Sequence, residues 1–384
     1  MSCYRIVRSI AHFDLDAFYV NVEYLRNSRL RGKAIAVGGH SDRGVITSCS
    51  YEARKFGVRS AMATKVARRL CPDLIIVRGD MDRYGYYSNL VTEIIRNEVP
   101  IVEKSSIDEF YIDMTGMDKF FGVSQIIQGI RKKIIKETGL SISYALATNK
   151  LVSKIATNEC KPNGQIVIKP GNERSFLAPL PIEKMPMVGK STATLLQEAG
   201  INTLYDLSQV PPDTLTGMLG KNGMEIWKRS MGVDETPVIP YHEQKSVGTE
   251  NTFEKDTNDI VFLNNELVRM IGKLAFELRN NNKVAGCITI KLRYSNFQTL
   301  TMQSAIAFTS QDKVLIQTAK DIFKKLYANS SLVRLIGIRF SHLVSGNYQI
   351  NLFDDSQQIL GLCKAIDSVK KQFGESLLVR ASCI

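Results

Sequence analysis

Tryptophan occurs once in these 384 residues and histidine only four times, and no two of the seven cysteines form a CxxC pair. The cysteines, at positions 3, 49, 71, 160, 287, 363 and 383, are scattered and odd in number. That pattern argues against a disulfide framework and against a structural zinc site. No apolar run approaches the roughly 20 residues that cross a bilayer as a helix. The opening stretch, MSCYRIVRSIAHFDLDAF, has no long apolar core and turns acidic early, so a reducing cytosol is the expected setting. Repeats and low-complexity runs are missing as well. Acidic charge is the remaining shortage: 50 Lys and Arg stand against 38 Asp and Glu, a net +12. Such a balance calls for a polyanionic partner, either nucleic acid or an acidic membrane surface. The length allows two to four domains.

The positive charge is unevenly spread. Residues 1–170 carry 26 basic and 17 acidic side chains, residues 171–244 carry 6 and 9, and residues 245–345 carry 14 and 8. Residues 9–20 alternate as a strand running into a turn, and 33–38 and 44–48 read as short strands around the polar GHSDR. Helical patterns cover 51–57, 63–71, 82–97, 123–138 and 149–160, and strand patterns cover 74–78, 105–114 and 141–147. Segment 171–232 is helical and turn-rich, 233–247 is a proline-containing linker, and 248–342 returns to mixed elements. The fold class is α+β and multidomain.

Asp14 and Asp16 stand two apart on a strand and share a face, and Asp108-Glu109 lie in another strand-like segment. Carboxylates from two strands can clamp divalent cations for phosphoryl transfer. Adjacent residues of a regular strand point to opposite faces, however, so Asp108 and Glu109 can share a site only at a turn, bulge or strand end. Taken singly, a DxD on a strand is more often a solvated edge, Arg54-Lys55 a solvated helix face, Lys161 a surface lysine, and Phe18-Tyr19 core packing.

Four segments occur in order: HFDLDAFYVNVE (12–23), SYEARKFGVRSAM (50–62), SSIDEFYIDMT (105–115) and NKLVSKIATNECKPNG (149–164). Together they resemble the Y-family of translesion DNA polymerases, DinB type, from about residue 9 to about 345. The DLD form is similar to the DinB branch rather than the UmuC branch, where Asn replaces the second Asp. The resemblance implies a right-hand polymerase with a ferredoxin-like palm (1–20 and 81–170), small fingers (21–80), a helical thumb (171–237), a linker (238–246) and a C-terminal α/β little finger (247–345). It implies Asp14, Asp108 and Glu109 as catalytic metal ligands, completed by the backbone carbonyl of Leu15. Two magnesium ions are expected, with manganese able to substitute. It further implies Ser48, Tyr51, Arg54 and Lys161 as contacts to the incoming deoxynucleoside triphosphate and Tyr19 as the steric gate against a ribose 2′-hydroxyl. Asp16 matches a motif position and stays outside the ligand set. Low fidelity and low processivity go with the family.

The acidic segment holds LPIEKMPMVGKSTATLLQEAGI (180–201), which looks like a helix-hairpin-helix. Gly189, Ser191 and Thr192 would turn backbone N–H groups toward a DNA phosphate without local positive charge. In 286–294, Ile288, Ile290 and Leu292 alternate with Thr289, Lys291 and Arg293, and Arg339 opposes an apolar face in 335–340. A sheet with one basic face suits salt-sensitive, sequence-independent DNA binding, and an exposed edge with routine lysines is the alternative. Gln349, Leu352 and Phe353 resemble the peptide that docks on the bacterial sliding clamp. A helical pattern of Ile359, Leu362, Ile366, Val369 and Phe373 follows in the tail (346–384). A monomer acting on primer-template DNA at the nucleoid is expected. A catalytically silent DNA-binding or scaffold relative, and a nucleotide cyclase with a palm-like core, are the competing readings.

Overall fold

A computed structural model of the chain describes residues 7–117, 122–327, 331–346, 356–374 and 378. The chain divides into two compact units, Met1–His242 and Glu243–Ile384. The strands of the first are β1 (Ile10–Leu15), β2 (Ile35–Gly38), β3 (Ile46–Cys49), β4 (Ile75–Val77), β5 (Val102–Lys104), β6 (Glu109–Asp113), β7 (Ile142–Ala147) and β8 (Gln165–Val167). They form a five-stranded sheet of order β5-β6-β1-β7-β8 and a three-stranded sheet of order β3-β2-β4.

β1 is central and antiparallel to both β6 and β7, and every residue of it is buried. Alternation decides what each face meets. Ala11, Phe13 and Leu15 join a core with Ile94 and Ile95 of the helix Met81–Glu98 and Ile127, Ile130 and Ile134 of Val123–Thr138. On the opposite face Ala145 and Ala147 of β7 pack against Leu151, Val152 and Ile155 of the helix Lys150–Cys160. The small alanines leave room for that helix to lie close. Asp14 and Asp16 are on this second face, at the end of β1.

Two sequence expectations are corrected here. The strand pattern over 9–20 ends at Leu15, because Ala17 takes a left-handed conformation (φ 40°) and opens the helix Phe18–Arg26. The strand pattern over 105–114 narrows to β6, with 105–108 forming the turn that joins it to β5. The region 171–232 holds the short helices Glu173–Leu177, Lys190–Glu198, Leu204–Gln209, Pro212–Leu219 and Lys221–Ser230, without strands, as its composition indicates.

The second unit is an antiparallel sheet, β11-β10-β12-β9, built from β9 (Ser246–Thr257), β10 (Lys283–Tyr294), β11 (Thr299–Thr309) and β12 (Val333–Ser345). Ile288, Ile290, Leu292, Ile336, Ile338 and Phe340 form its buried face with the helices Ile260–Asn280 and Asp312–Leu326. The tail helix Ser356–Phe373 belongs to this unit. It makes a charged contact with the body: Asp367 accepts from Arg279 Nε and Nη2 at 2.6 and 2.8 Å, and the same guanidinium donates Nη1 to Asp312 at 2.6 Å. Cys363 and Asp367, four apart, face the body, while Leu362, Val369 and Phe373 of the expected apolar stripe are exposed. A buried guanidinium shared by two carboxylates fixes the helix rotation more strictly than a hydrophobic stripe would.

Candidate active site

Asp14, near the end of β1, is paired directly with Glu109, the first residue of β6, so both side chains leave the same face of the sheet. Asp108 comes just before the strand. Its carbonyl accepts the Leu15 N–H at 3.1 Å, and the Ser105 and Ser106 amides both donate to the Glu109 carbonyl. The Ser106 hydroxyl donates to Asp108 Oδ1 at 2.6 Å and accepts the Glu109 N–H at 3.1 Å. Ser106 thereby turns the chain where a regular strand would have sent Asp108 and Glu109 to opposite faces. The requirement that sequence parity imposed, a turn at this pair, is met.

Two ammonium groups balance the acids. Lys154 Nζ bridges both Glu109 oxygens at 2.7 and 2.6 Å, and Lys161 Nζ sits 2.5 Å from Asp14 Oδ2. Burial, together with the charges of Glu109 and Asp108, pushes the Asp14 carboxyl up to about 7 against the pull of Lys161. Among the described residues no three carboxylate, imidazole or thiol groups converge closely enough to cage a metal. Each acid has its own partner instead: Asp14 has Lys161, Asp108 has Ser106 and Glu109 has Lys154. The donor set still fits a hard divalent cation, because it offers carboxylate oxygens in a place where like charges crowd and ionising Asp14 is costly. His12, two residues before Asp14 on the same face, is fully buried, and neither of its ring nitrogens has a hydrogen-bond partner among the described residues. Burial and the charges of Lys154, Lys161 and Lys150 hold it well below the usual histidine range, so it is a neutral ring against Tyr111.

Of the residues expected around a triphosphate, Lys161 stands at Asp14, and Tyr51 feels the charges of Asp14, Asp16 and Arg54. Tyr51 and Arg54 share the helix Tyr51–Lys55, which Ser50 caps by accepting from the Ala53 N–H. The Arg54 guanidinium lies 4.5 Å from the Tyr51 ring centroid. The Tyr51 hydroxyl is buried without a hydrogen-bond partner of good geometry among the described residues. Burial, then the negative charges of Asp16 and Asp14, push it up to about 12. Ser48 is buried on β3, paired with Val37. Tyr19 stacks on Tyr84 with centroids 4.3 Å apart, and Tyr84 donates its hydroxyl to the buried Glu23 at 2.7 Å. Burial and the Asp108 charge raise the Tyr19 hydroxyl, which places that side chain beside the acids.

The residues expected to hold DNA lie elsewhere. Gly189 precedes the helix Lys190–Glu198 and gives its first turn no side-chain cap, and Ser191 is exposed. In the second unit Arg339 is exposed, on the sheet face that also carries Thr289, its directly paired neighbour. Lys291 on that face is already engaged by Glu250, and Arg293 Nε donates to Thr299 Oγ1 at 3.0 Å. Gln349, Leu352 and Phe353 fall outside the described residues. Sequence reasoning missed Lys154, Ser106, Tyr84 and Glu23. Lys150 and Lys154 stand at i, i+4 on one helix face, a spacing that could have flagged them as a pair.

The family model described as impB/mucB/samB matches residues 13–158, its C-terminal domain model matches 244–352, and the IMS family HHH motif matches 170–201. A DNA polymerase IV of Dehalococcoides mccartyi is 35% identical over 374 residues, covering 96% of this chain and 96% of the relative. That of Desulfatibacillum aliphaticivorans is 35% identical over 382 residues, 98% of this chain and 96% of the relative. That of Listeria welshimeri is 36% identical over 339 residues, 88% and 95% respectively. Among solved structures, a Y-family DNA polymerase chimera of Dbh and Dpo4 superposes with a TM-score of 0.77 at 25% identity, over 88% of this chain and 100% of the chimera.

Proposed function

The chain belongs to the impB/mucB/samB family and is a lesion-bypass DNA polymerase of the Y-family, and from that premise we propose that Asp14, Asp108 and Glu109 are its catalytic carboxylates. The reaction joins the primer 3′-oxygen to the α-phosphorus of a deoxynucleoside triphosphate, breaks the bond to the bridging oxygen and releases pyrophosphate. The catalytically silent reading is not favoured, since the curated relatives are themselves polymerases. Divalent cations, two magnesium ions in this reading, lower the pKa of the 3′-hydroxyl and neutralise the triphosphate when bound. Asp14 and Glu109, at paired strand positions, together with Asp108 from the turn and the Leu15 carbonyl, would hold them. Lys161 and Arg54 supply positive charge to the triphosphate, and the buried Tyr51 hydroxyl beside Arg54 donates to it. The observation that supports this reading most is the direct Asp14–Glu109 pairing beside the Ser106 turn.

The palm is 1–20 with 81–170, the fingers 21–80, the thumb 171–237, the linker 238–246 and the little finger 247–345. The first-turn amides after Gly189, including those of Ser191 and Thr192, grip a DNA phosphate, and Lys291, Arg293 and Arg339 line the basic face. Among the described residues no helix is long and apolar enough to cross a membrane. The enzyme works as a monomer on primer-template DNA in the cytoplasm, at the nucleoid. Primer extension with magnesium and four deoxynucleotides, on damaged and undamaged templates, tests the whole reading. Synthesis past a lesion is the expected result, and DNA binding without extension on either template would restore the silent-relative reading.

Gln349, Leu352 and Phe353 tether the enzyme to the sliding clamp. Changing Leu352→Ala together with Phe353→Ala is expected to remove clamp-stimulated processivity, on the order of 10²-fold, while basal extension persists. Processivity runs on clamp-loaded DNA decide this, and undiminished stimulation would count against the tether.

A further inference from the structure

Asp16 has only 1% of its surface exposed, and both of its oxygens are engaged. Oδ1 accepts from Ser143 Oγ at 2.7 Å, and Oδ2 accepts from Ser141 Oγ at 2.5 Å and from the Asn163 backbone N–H at 2.9 Å. A carboxylate this deeply buried persists only with such partners. Its partners are not those of a metal ligand. They tie the end of β1 to β7 and to the four-residue loop Lys161-Pro162-Asn163-Gly164.

That loop is held from several sides. Asn163 takes a left-handed backbone (φ 52°), and Gly164 donates its N–H to the same Ser143 hydroxyl at 3.1 Å. The Gly164 carbonyl accepts the Tyr144 N–H at 3.2 Å. A Cβ at Gly164 would lie 1.8 Å from the Cys160 carbonyl oxygen, so the chain turns back directly on the end of its helix. Arg131 reaches in from the helix Val123–Thr138, donating Nε to the Ile142 carbonyl at 3.0 Å and Nη2 to the Asn163 carbonyl at 3.1 Å, with a further contact to the Asn163 side chain. Lys161 is the first residue of this loop, and its ammonium stands at Asp14.

We propose that Asp16 is a positioning residue for nucleotide binding: through Asn163 and through Ser141 and Ser143 it fixes the loop that presents Lys161 to the triphosphate of the incoming nucleotide. This role rests on the reading of Lys161 as a triphosphate contact. A lysine on a loose loop gives up backbone and side-chain freedom on binding, and a loop anchored beforehand has already given up the backbone part.

The test is steady-state primer extension by the full chain as wild type, Asp16→Asn, Lys161→Ala and the double variant, with primer-template affinity and thermal midpoint measured on each. Asparagine keeps the shape but its amide N–H₂ cannot accept, so either the Asn163 N–H or the Ser143 hydroxyl that holds Gly164 loses its acceptor and the loop's anchoring is weakened. KM for the deoxynucleotide is expected to rise roughly tenfold in Asp16→Asn, the cost of about one hydrogen bond to a charged group, with DNA affinity unchanged. In the Lys161→Ala background the same change should add less than about twofold, because both act through one contact. A merely structural Asp16 would lower the amount of folded enzyme, and hence the maximal rate, without moving KM. That result, or full additivity in the double variant, overturns the proposal. Should Lys161→Ala leave KM unmoved, the triphosphate reading of Lys161 fails and the positioning role falls with it. A raised KM in Lys161→Ala beside an unmoved one in Asp16→Asn removes the positioning role alone. If Asp16→Asn does not fold, Arg131→Gln loosens the same loop with Asp16 in place. It must then raise KM non-additively with Lys161→Ala, and a failure to do so is equally decisive.

Discussion

Replacing Asp108 by asparagine is expected to lower primer extension by at least about 10³-fold, which is roughly 4 kcal/mol of transition-state stabilisation, while DNA affinity and the folded structure stay as they are. The separation of these effects follows from how Asp108 is held. Its structural contact is made by the main chain, whose carbonyl accepts the Leu15 N–H, and that bond does not depend on the side chain. The side chain accepts one hydrogen bond, from Ser106 Oγ, which an asparagine oxygen accepts equally well. The substitution is isosteric and half-buried, so stability should move by about 0.5 kcal/mol or less. What is lost is a negative charge in the set that must neutralise a triphosphate and a forming oxyanion, and an amide oxygen is a poor substitute for a carboxylate on a hard cation. Single-turnover extension beside a primer-template binding curve gives both readouts. Extension within tenfold of wild type would remove Asp108 from the catalytic set.

The three acids were visible in the sequence only through their neighbours, and the structure shows why. β1 is covered on both faces, so His12, Asp14 and Asp16 are buried polar residues rather than the wet side of an alternating strand. Alternation placed Asp14 and Asp16 on one face but could not show that one would meet Lys161 and the other two serines and a backbone amide. Those partners come from β7 and from the loop after Cys160, far along the chain. The helices over 123–138 and 150–160 were legible because their apolar periods are long and their ends are marked, by Gly139 in a left-handed conformation and by Asn149 accepting from the Val152 N–H. The β5–β6 turn was legible only as a requirement of parity at Asp108-Glu109, since the Ser106 hydroxyl and the main-chain bonds to the Glu109 carbonyl form it. Serine in a strand-like run carries no positional signal. The docking of the tail helix was equally hidden, because its Asp367 meets Arg279, a partner 88 residues earlier in the chain.

Tyr19→Ala should make the enzyme accept ribonucleotides, narrowing its preference for deoxynucleotides by about 10- to 100-fold in kcat/KM. Tyr19 lies in the first turn of the helix that Ala17 opens directly after the acidic strand, so its ring is placed by the same backbone that carries Asp14. The ring cannot swing aside freely. It stacks on Tyr84 at 4.3 Å with planes 20° apart, and Tyr84 is anchored through its hydroxyl to Glu23, itself 2% exposed. Phe18 packs against both rings, 5.6 Å from Tyr19 and 6.2 Å from Tyr84 between centroids. A wall this stiff rejects an extra hydroxyl by overpacking. In well-packed protein an added heavy atom costs about 1–3 kcal/mol, which corresponds to the stated range at 1.36 kcal/mol per tenfold. Removing the ring removes the clash but touches neither the acids nor Lys161, so deoxynucleotide incorporation should persist. Competition between a deoxynucleotide and its ribonucleotide at one template position measures the ratio directly. A Tyr84→Phe variant adds a graded test, since it cuts the bond to Glu23 and leaves the stack, and it should loosen discrimination less than Tyr19→Ala does. If the sugar preference of Tyr19→Ala equals that of the wild type, the gate is some other group, and the stacked pair of tyrosines is core packing only.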